Sequence, residues 1–140
     1  MSQSNTQIGT IVLPAGSDMT GKEGLLVGIT EAYGEARFAF QNNENTQYPL
    51  FVIVDGDAQG KSTAALPLSP DRNVRVILEG ACSPGKVLVT SAVNGPHLGK
   101  VKQLPTTPGT YHAVGIAEEA GIDGQLIRMR PIAVSKITVA

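Results

Sequence analysis

The sequence predicts an all-β fold: a small β-barrel or β-sandwich of about ten short strands, with at most one short helix and a flexible N-terminal arm. Two observations carry this expectation. Glycine (16) and proline (9) punctuate almost the whole length of the 140 residues, so no stretch keeps an apolar i, i+3, i+4 pattern long enough for a substantial helix. What remains is a series of short β-rich runs, with turn signals about every 8–12 residues, the habit of sandwiches and barrels.

Taken in order, residues 1–7 (Met-Ser-Gln-Ser-Asn-Thr-Gln) are polar and uncharged, with nothing to bury, and form the expected arm. Residues 8–140 form the expected single domain. Ile8–Leu13 is the first strand candidate, closed by Pro14-Ala-Gly16. Ser17–Gly24 is a turn or a single helical turn that Ser17 or Asp18 can cap. Leu25–Thr30 and Ala36–Phe40 read as a hairpin around Gly34, and Gln41–Gln47 as a polar loop. Pro49–Val54 is strongly apolar and ends in Asp55-Gly56, a turn dipeptide. Ser62–Leu68 follows, ending around Pro67 and Pro70.

In Asn73–Glu79, Val74, Val76 and Leu78 alternate with Asn73, Arg75, Ile77 and Glu79. Ile77 interrupts the polar face, so that face is expected to be partly covered. Lys86–Thr90 comes after the Ser83-Pro-Gly85 turn, and Leu98–Leu104 after the Val93-Asn-Gly95-Pro turn. Tyr111–Ala117 is a strand and Asp123-Gly124 a tight turn. Gln125–Arg130 is expected to stop at Pro131, with Ile132–Val139 as a last separate strand. Val27-Gly-Ile-Thr-Glu31 and Val114-Gly-Ile-Ala-Glu118 echo one another, but a Val/Gly-rich chain produces such echoes by chance, and no repeat is assigned.

Composition excludes several function classes. The single cysteine, Cys82, permits no intramolecular disulfide and no Cys-rich zinc site. Net charge is −1 with Lys and Arg scattered, so nothing would draw in a polyanion, and no nucleic-acid partner is expected. At 4% aromatics, base-stacking platforms are not expected either. The apolar runs are strand-sized, far short of the roughly 20 residues of a membrane helix. The first residues lack the basic start and apolar stretch of a signal peptide, so synthesis and retention in the cytoplasm is expected. Charged residues make up 16% of the chain, against a usual value of about 25%, which favours surfaces that associate.

No constellation reads as catalytic, metal-binding or cofactor-binding. Asp55-Gly-Asp-Ala-Gln-Gly-Lys-Ser62 resembles a phosphate-binding loop, but three residues separate Gly56 from Gly60 where four are needed. Pro67 and Pro70 also leave little room for the helix that such a loop must open. As a calcium loop it has Asp55, Asp57 and Gly60 in place, but Leu66 where a bidentate Glu belongs. His97 and His112 have no neighbouring Cys, His or carboxylate at ligand spacing. Glu118 and Glu119, if on a strand, point to opposite faces and cannot work as a pair. Cys82 has no His or cation cluster to activate it. Lys86, after its Pro-Gly turn, lacks the flanks of a lipoyl or biotin carrier.

The stretch Leu13-Pro-Ala-Gly-Ser-Asp-Met-Thr-Gly-Lys-Glu-Gly-Leu-Leu-Val27 resembles the opening of the small capsid decoration (cement) proteins of tailed bacteriophages. Gly80-Ala-Cys-Ser-Pro-Gly-Lys-Val-Leu-Val89, Gly99-Lys-Val, Pro108-Gly-Thr-Tyr, Val114–Gly121 and Gly124-Gln-Leu-Ile follow in that family's order. The resemblance spans most of residues 8–132; the tail after Pro131 and the loop Gln41–Gln47 have no counterpart. It implies a non-enzymatic virion protein, made in the bacterial cytoplasm, that binds the outside of a capsid through the major capsid protein and forms homotrimers. It brings no catalytic residues, cofactor or metal. The arm and first strand are the expected interface, through Ser4, Thr6, Gln7, Ile8, Ile11 and Leu13. The alternatives are another phage structural component, a carbohydrate-binding β-module, or a small β-barrel enzyme.

Overall fold

A computed structural model describes residues 9–40, 50–91 and 95–140. The arm at 1–7, Ile8, the loop 41–47, Pro49, and Val93-Asn94 of one expected turn lie outside the described residues. Within them the chain is all-β. The ten strands are β1 (Ile11–Pro14), β2 (Leu26–Ala32), β3 (Glu35–Ala39), β4 (Phe51–Asp55), β5 (Ser62–Pro67), β6 (Val74–Ile77), β7 (Val87–Thr90), β8 (Val101–Gln103), β9 (Gly109–Ala117) and β10 (Leu126–Val139). Local chemistry accounts for the turns. Between β2 and β3, Tyr33 (φ 53°) and Gly34 (φ 74°) form a two-residue turn with both residues left-handed, the twist-matched hairpin connection. Ser17–Gly24 makes turns and no helix; the Asp18 carboxylate accepts the Thr20 N–H at 3.1 Å.

The expected break at Pro131 does not occur: Leu126–Val139 is one strand. Pairing of β10 with β6 runs from Leu126 to Met129 and no further, while pairing with β9 continues through Pro131 to Val139. Pro131 therefore sits where one neighbour has ended, beside a register shift between Pro131 and Ser135. A missing N–H is tolerated at such a position.

The strands form two five-stranded antiparallel sheets, ordered β1-β5-β4-β2-β3 and β6-β10-β9-β7-β8. The second order is the first advanced by five strands. The registers agree as well. Ile11↔Ala65 and Pro14↔Ser62 match Val74↔Met129 and Ile77↔Leu126; Leu26↔Val52 matches Val87↔Ile116; Phe51↔Pro67 matches Gly115↔Pro131. Each sheet curls until its first strand meets its last through a parallel bridge, Ala15↔Phe38 in barrel one and Leu78↔Val101 in barrel two. Loop bonds repeat too. Gly60 N–H donates to Ala15 O as Gly124 N–H does to Leu78 O, and Met19 N–H to Asp57 O as Cys82 N–H does to Gly121 O.

The chain is thus a structural duplication, against the expectation of no repeat. The echo between Val27–Glu31 and Val114–Glu118 is not the relation involved, because β2 corresponds to β7 and β9 to β4. Among positions matched by register and these bonds, only Gly24/Gly85, Gly60/Gly124 and Pro67/Pro131 keep the same residue. The four glycines have φ between 77° and 88°, a conformation that other residues adopt only with strain. The prolines end the regular pairing of β5 and interrupt that of β10.

The barrels share a seam. Leu26 and Val52 of barrel one belong to the apolar cluster built around Leu78, Leu88, Ile127 and Met129 of barrel two, and Leu66 and Leu68 pack against it. In return Ile77 of β6 packs against the cluster of barrel one around Phe38 and Ile53. This is the partial cover anticipated for that face. Backbone bonds stitch the seam: Leu26 N–H to Gly99 O at 2.8 Å and Ile77 N–H to Gly24 O at 3.1 Å.

Gly24 and Gly85 give a matched test of the seam. A Cβ on Gly24 would lie 2.5 Å from Leu126 Cδ1 and 3.0 Å from Ile77 Cγ1, whereas one on Gly85 would meet nothing within 4 Å. Both substitutions to Ala incur backbone strain of about 1–2 kcal/mol. Gly24→Ala adds a clash with barrel two and is expected to cost a further ~1–3 kcal/mol. Urea denaturation of the two variants measures the difference; equal losses would mean that the seam yields without cost.

Candidate interaction surface

Of the expected interface residues, Ser4, Thr6, Gln7 and Ile8 lie outside the described residues. Ile11 and Leu13 stand on β1, half-buried and packed against the core of barrel one. Between them Val12 points the other way and is 55% exposed. Alternation along a strand puts Val12 on the face opposite its neighbours. That signal was present in Ile11-Val-Leu13, but which face lies inside is decided by the barrel.

The duplication allows the outer face of β1-β5-β4 to be compared position by position with that of β6-β10-β9. In barrel one, Val12 lies opposite Ala64, which lies opposite Asp55. The matching row in barrel two is Arg75, Arg128 and Glu119, where Arg75 lies opposite Arg128. There Glu119 accepts the Arg128 N–H at 2.9 Å and pairs with both guanidinium groups, at 3.3 Å to Arg128 and 3.7 Å to Arg75. Glu118 pairs with Arg130 at 3.1 Å; its counterpart in barrel one is Val54, 40% exposed. One barrel therefore carries a solvated, ion-paired face. The other carries on the same backbone an apolar strip with a single carboxylate, Asp55, which has no ion pair among the described residues. Beside this strip, between the barrels, is a groove of about 390 Å³ lined in part by Glu23, Val54, Leu66, Arg75, Leu126 and Arg128.

Charge is divided along the same boundary. Residues 1–67 hold seven acidic and three basic side chains, and residues 68–140 hold five and eight. Net charge is therefore −4 for the half containing barrel one and +3 for the half containing barrel two, hidden within the overall −1. Lys86, Lys100, Lys102 and Lys136 of barrel two form no ion pair among the described residues.

The titratable groups singled out by the sequence occupy the following positions. After β4 the chain makes a turn in which the Asp57 carboxylate accepts the Ala58 N–H at 2.7 Å, and β5 begins at Ser62. No helix follows to hold a phosphate. His97 Nε2 lies 3.8 Å from Glu79. His112 sits opposite Lys136 across the β9–β10 pair; burial and then the Lys136 charge hold its imidazole below the ordinary range. Burial pushes the Cys82 thiol up, which makes it a poor nucleophile. Glu118 and Glu119 lie just beyond the end of β9, Glu118 paired with Arg130 and Glu119 with Arg128 and Arg75. Glu118 is held below the usual carboxylate range by a hydrogen bond from Asn73 and then by Arg130. Glu119 is held down by the Arg128 N–H and then by the charges of Arg128 and Arg75. No group of three or more His, Cys, Asp or Glu converges as a metal site among the described residues, and no helix among them is long and apolar enough to cross a membrane.

No protein family model matches the chain, and no curated protein matches it. A solved structure does: the N base of head fiber gp8.5 of bacteriophage phi29, with a TM-score of 0.63 and 18% identity, covering 90% of this chain and 95% of that one. At this identity the likeness establishes a shared fold, and its coverage extends over both barrels.

The titrations predict the acid behaviour. Carboxylates with lowered folded pKa contribute stability above the ordinary carboxylate range and lose it as pH falls through their folded values. Glu119→Gln is expected to flatten the acid limb of a stability–pH profile. His112 has the same proton balance in a higher pH range: its folded pKa is also lowered, so the unfolded chain binds the proton more readily and stability rises with pH between the lowered and the ordinary imidazole range. Lys136→Gln should move the His112 titration upward, as read by NMR of the ring protons; an unmoved titration would remove Lys136 as a cause.

Proposed function

We propose that this chain is a structural virion protein that binds the outer surface of a phage capsid through the major capsid protein and stabilises the shell, acting as trimers. The observation that carries the reading is the match of both barrels, over nearly the full length of both chains, to a protein whose own description places it in a phage head fiber. The order of motifs shared with capsid decoration proteins points the same way. The outward strip at Val12 and Val54 supports it too, since binding faces are apolar at their centres.

In this reading the protein acts through surfaces, not through a reactive pocket. Many copies on a symmetric lattice turn a modest contact into tight attachment. The segment 1–7, polar and uncharged in sequence, is the part we assign to adding to a sheet edge of a neighbour. Its place is the capsid surface, after synthesis in the bacterial cytoplasm, with neither nucleic acid nor membrane as partner. The sugar-binding alternative lacks an aromatic platform among the described residues: Tyr33 stands at the β2–β3 turn of barrel one, and Tyr111 on β9 of barrel two.

Mixing the purified protein with bare capsids and imaging the product is the test. Saturable density at symmetry-related positions is expected; no association under any condition would overturn the proposal. Deleting residues 1–7 is expected to weaken attachment by on the order of tenfold or more while leaving the thermal midpoint nearly unchanged, because those residues have no apolar side chain to pack apart from Met1. Unchanged attachment would remove the arm from the interface.

A further inference from the structure

We propose that copies of this chain associate head to tail, with the row Val12–Ala64–Asp55 of barrel one, two apolar residues and a carboxylate, receiving the basic face around Lys100 and Lys102 of barrel two of the next copy. The inference rests on the trimer part of the reading above, not on capsid attachment.

The internal duplication serves as a control. In barrel two the row Arg75–Arg128–Glu119 closes on itself, one carboxylate bridged by two guanidinium groups. In barrel one the backbone and the carboxylate are retained, as Asp55, but both cations are replaced by apolar residues, Val12 and Ala64. Asp55 is left exposed on β4 with no cation beside it among the described residues, and Val12 is left 55% exposed. The row thus has the geometry of an ion-paired site with its cations missing, and the chain carries unpaired cations elsewhere.

Lys100 immediately precedes β8 and Lys102 lies within it; Val101 between them is buried, so the two half-buried lysines share the opposite face. Among the described residues, Lys102 has only the Tyr111 ring beneath its ammonium, at 5.8 Å. A lysine side chain suits such a row: its methylenes cover apolar surface while its ammonium reaches the carboxylate. The net −4 and +3 of the two halves steer unlike halves together and like halves apart. Symmetry adds a further argument. A two-fold dimer uses one self-complementary patch, whereas a closed ring of three needs two different patches that fit each other. A duplicated chain whose halves have opposite charge supplies such a pair.

The test is sedimentation of the full chain in solution, without capsids, at low and high salt. The wild type is expected to associate at low salt and to weaken as salt rises. Val12→Arg supplies the missing cation within the chain, as Arg75 does in barrel two, and is expected to weaken association by on the order of tenfold or more while the chain stays folded by circular dichroism. Lys100→Glu with Lys102→Glu is expected to do the same. Adding Asp55→Lys to that double variant reverses the charge on both patches and is expected to restore association.

A wild type that oligomerises while all these variants assemble like it would overturn the head-to-tail assignment and leave the trimer standing. A wild type that stays monomeric at every salt and concentration would overturn both, while capsid attachment remains a separate measurement. Failure of the triple variant to recover while the double variant remains folded would overturn the Asp55–lysine pairing.

Discussion

The seam between the barrels is the constraint on which the rest depends. A unit of about 60 residues buries only about 60% of the surface its unfolded chain exposes, and is marginal alone. Here neither barrel closes its core unaided: Leu26 and Val52 complete the apolar cluster of barrel two, and Ile77 helps cover that of barrel one. The exchange requires close approach, which is why a glycine stands at position 24, where a single added carbon would strike Leu126 and Ile77. Its counterpart Gly85 answers only to the backbone conformation of its turn.

With the cores joined, the outer faces are free to diverge. The two barrels share strand order, register and turn bonds, yet almost no residues, because a strand register is specified by which side chains point inward and not by their identity. Divergence on the outer faces then makes one molecule with two dissimilar surfaces. One is laced by Arg75, Arg128, Arg130, Glu118 and Glu119, and the other is apolar around Val12, Ala64 and Val54. The contrast between matched faces sets Val12 and Val54 apart from ordinary exposed valines, which singly would mean little.

The barrels also depart from each other at one end. Beyond the last β7 pairing at Ala113, β9 and β10 continue as a two-stranded ribbon, Thr110–His112 against Lys136–Thr138, held in part by the Thr110–Thr138 hydroxyl pair at 3.4 Å and carrying His112 beside Lys136. In barrel one the chain past Pro67 becomes the link to β6 instead. This is also where the sequence reading broke the chain into two strands, since a proline inside a strand is ordinarily a stop. Its tolerance depends on β6 having ended two residues earlier, at Met129, which is a fact about a neighbour and not about Pro131.

What the sequence by itself determined is the all-β class, most strand positions, the hairpin around Gly34 and the special role of Ile77. These follow from local chemistry: alternation, turn residues, and the lack of a helical period. What only the tertiary structure decided is the pairing of strands into two like barrels, the inward direction of Ile11 and Leu13 that leaves Val12 outside, and the boundary that reveals a −4 half and a +3 half in a chain of net charge −1. Strand pairing is a long-range choice among many segments of similar propensity. Matched positions share so few side chains that the repeat left almost no trace in the order of the residues.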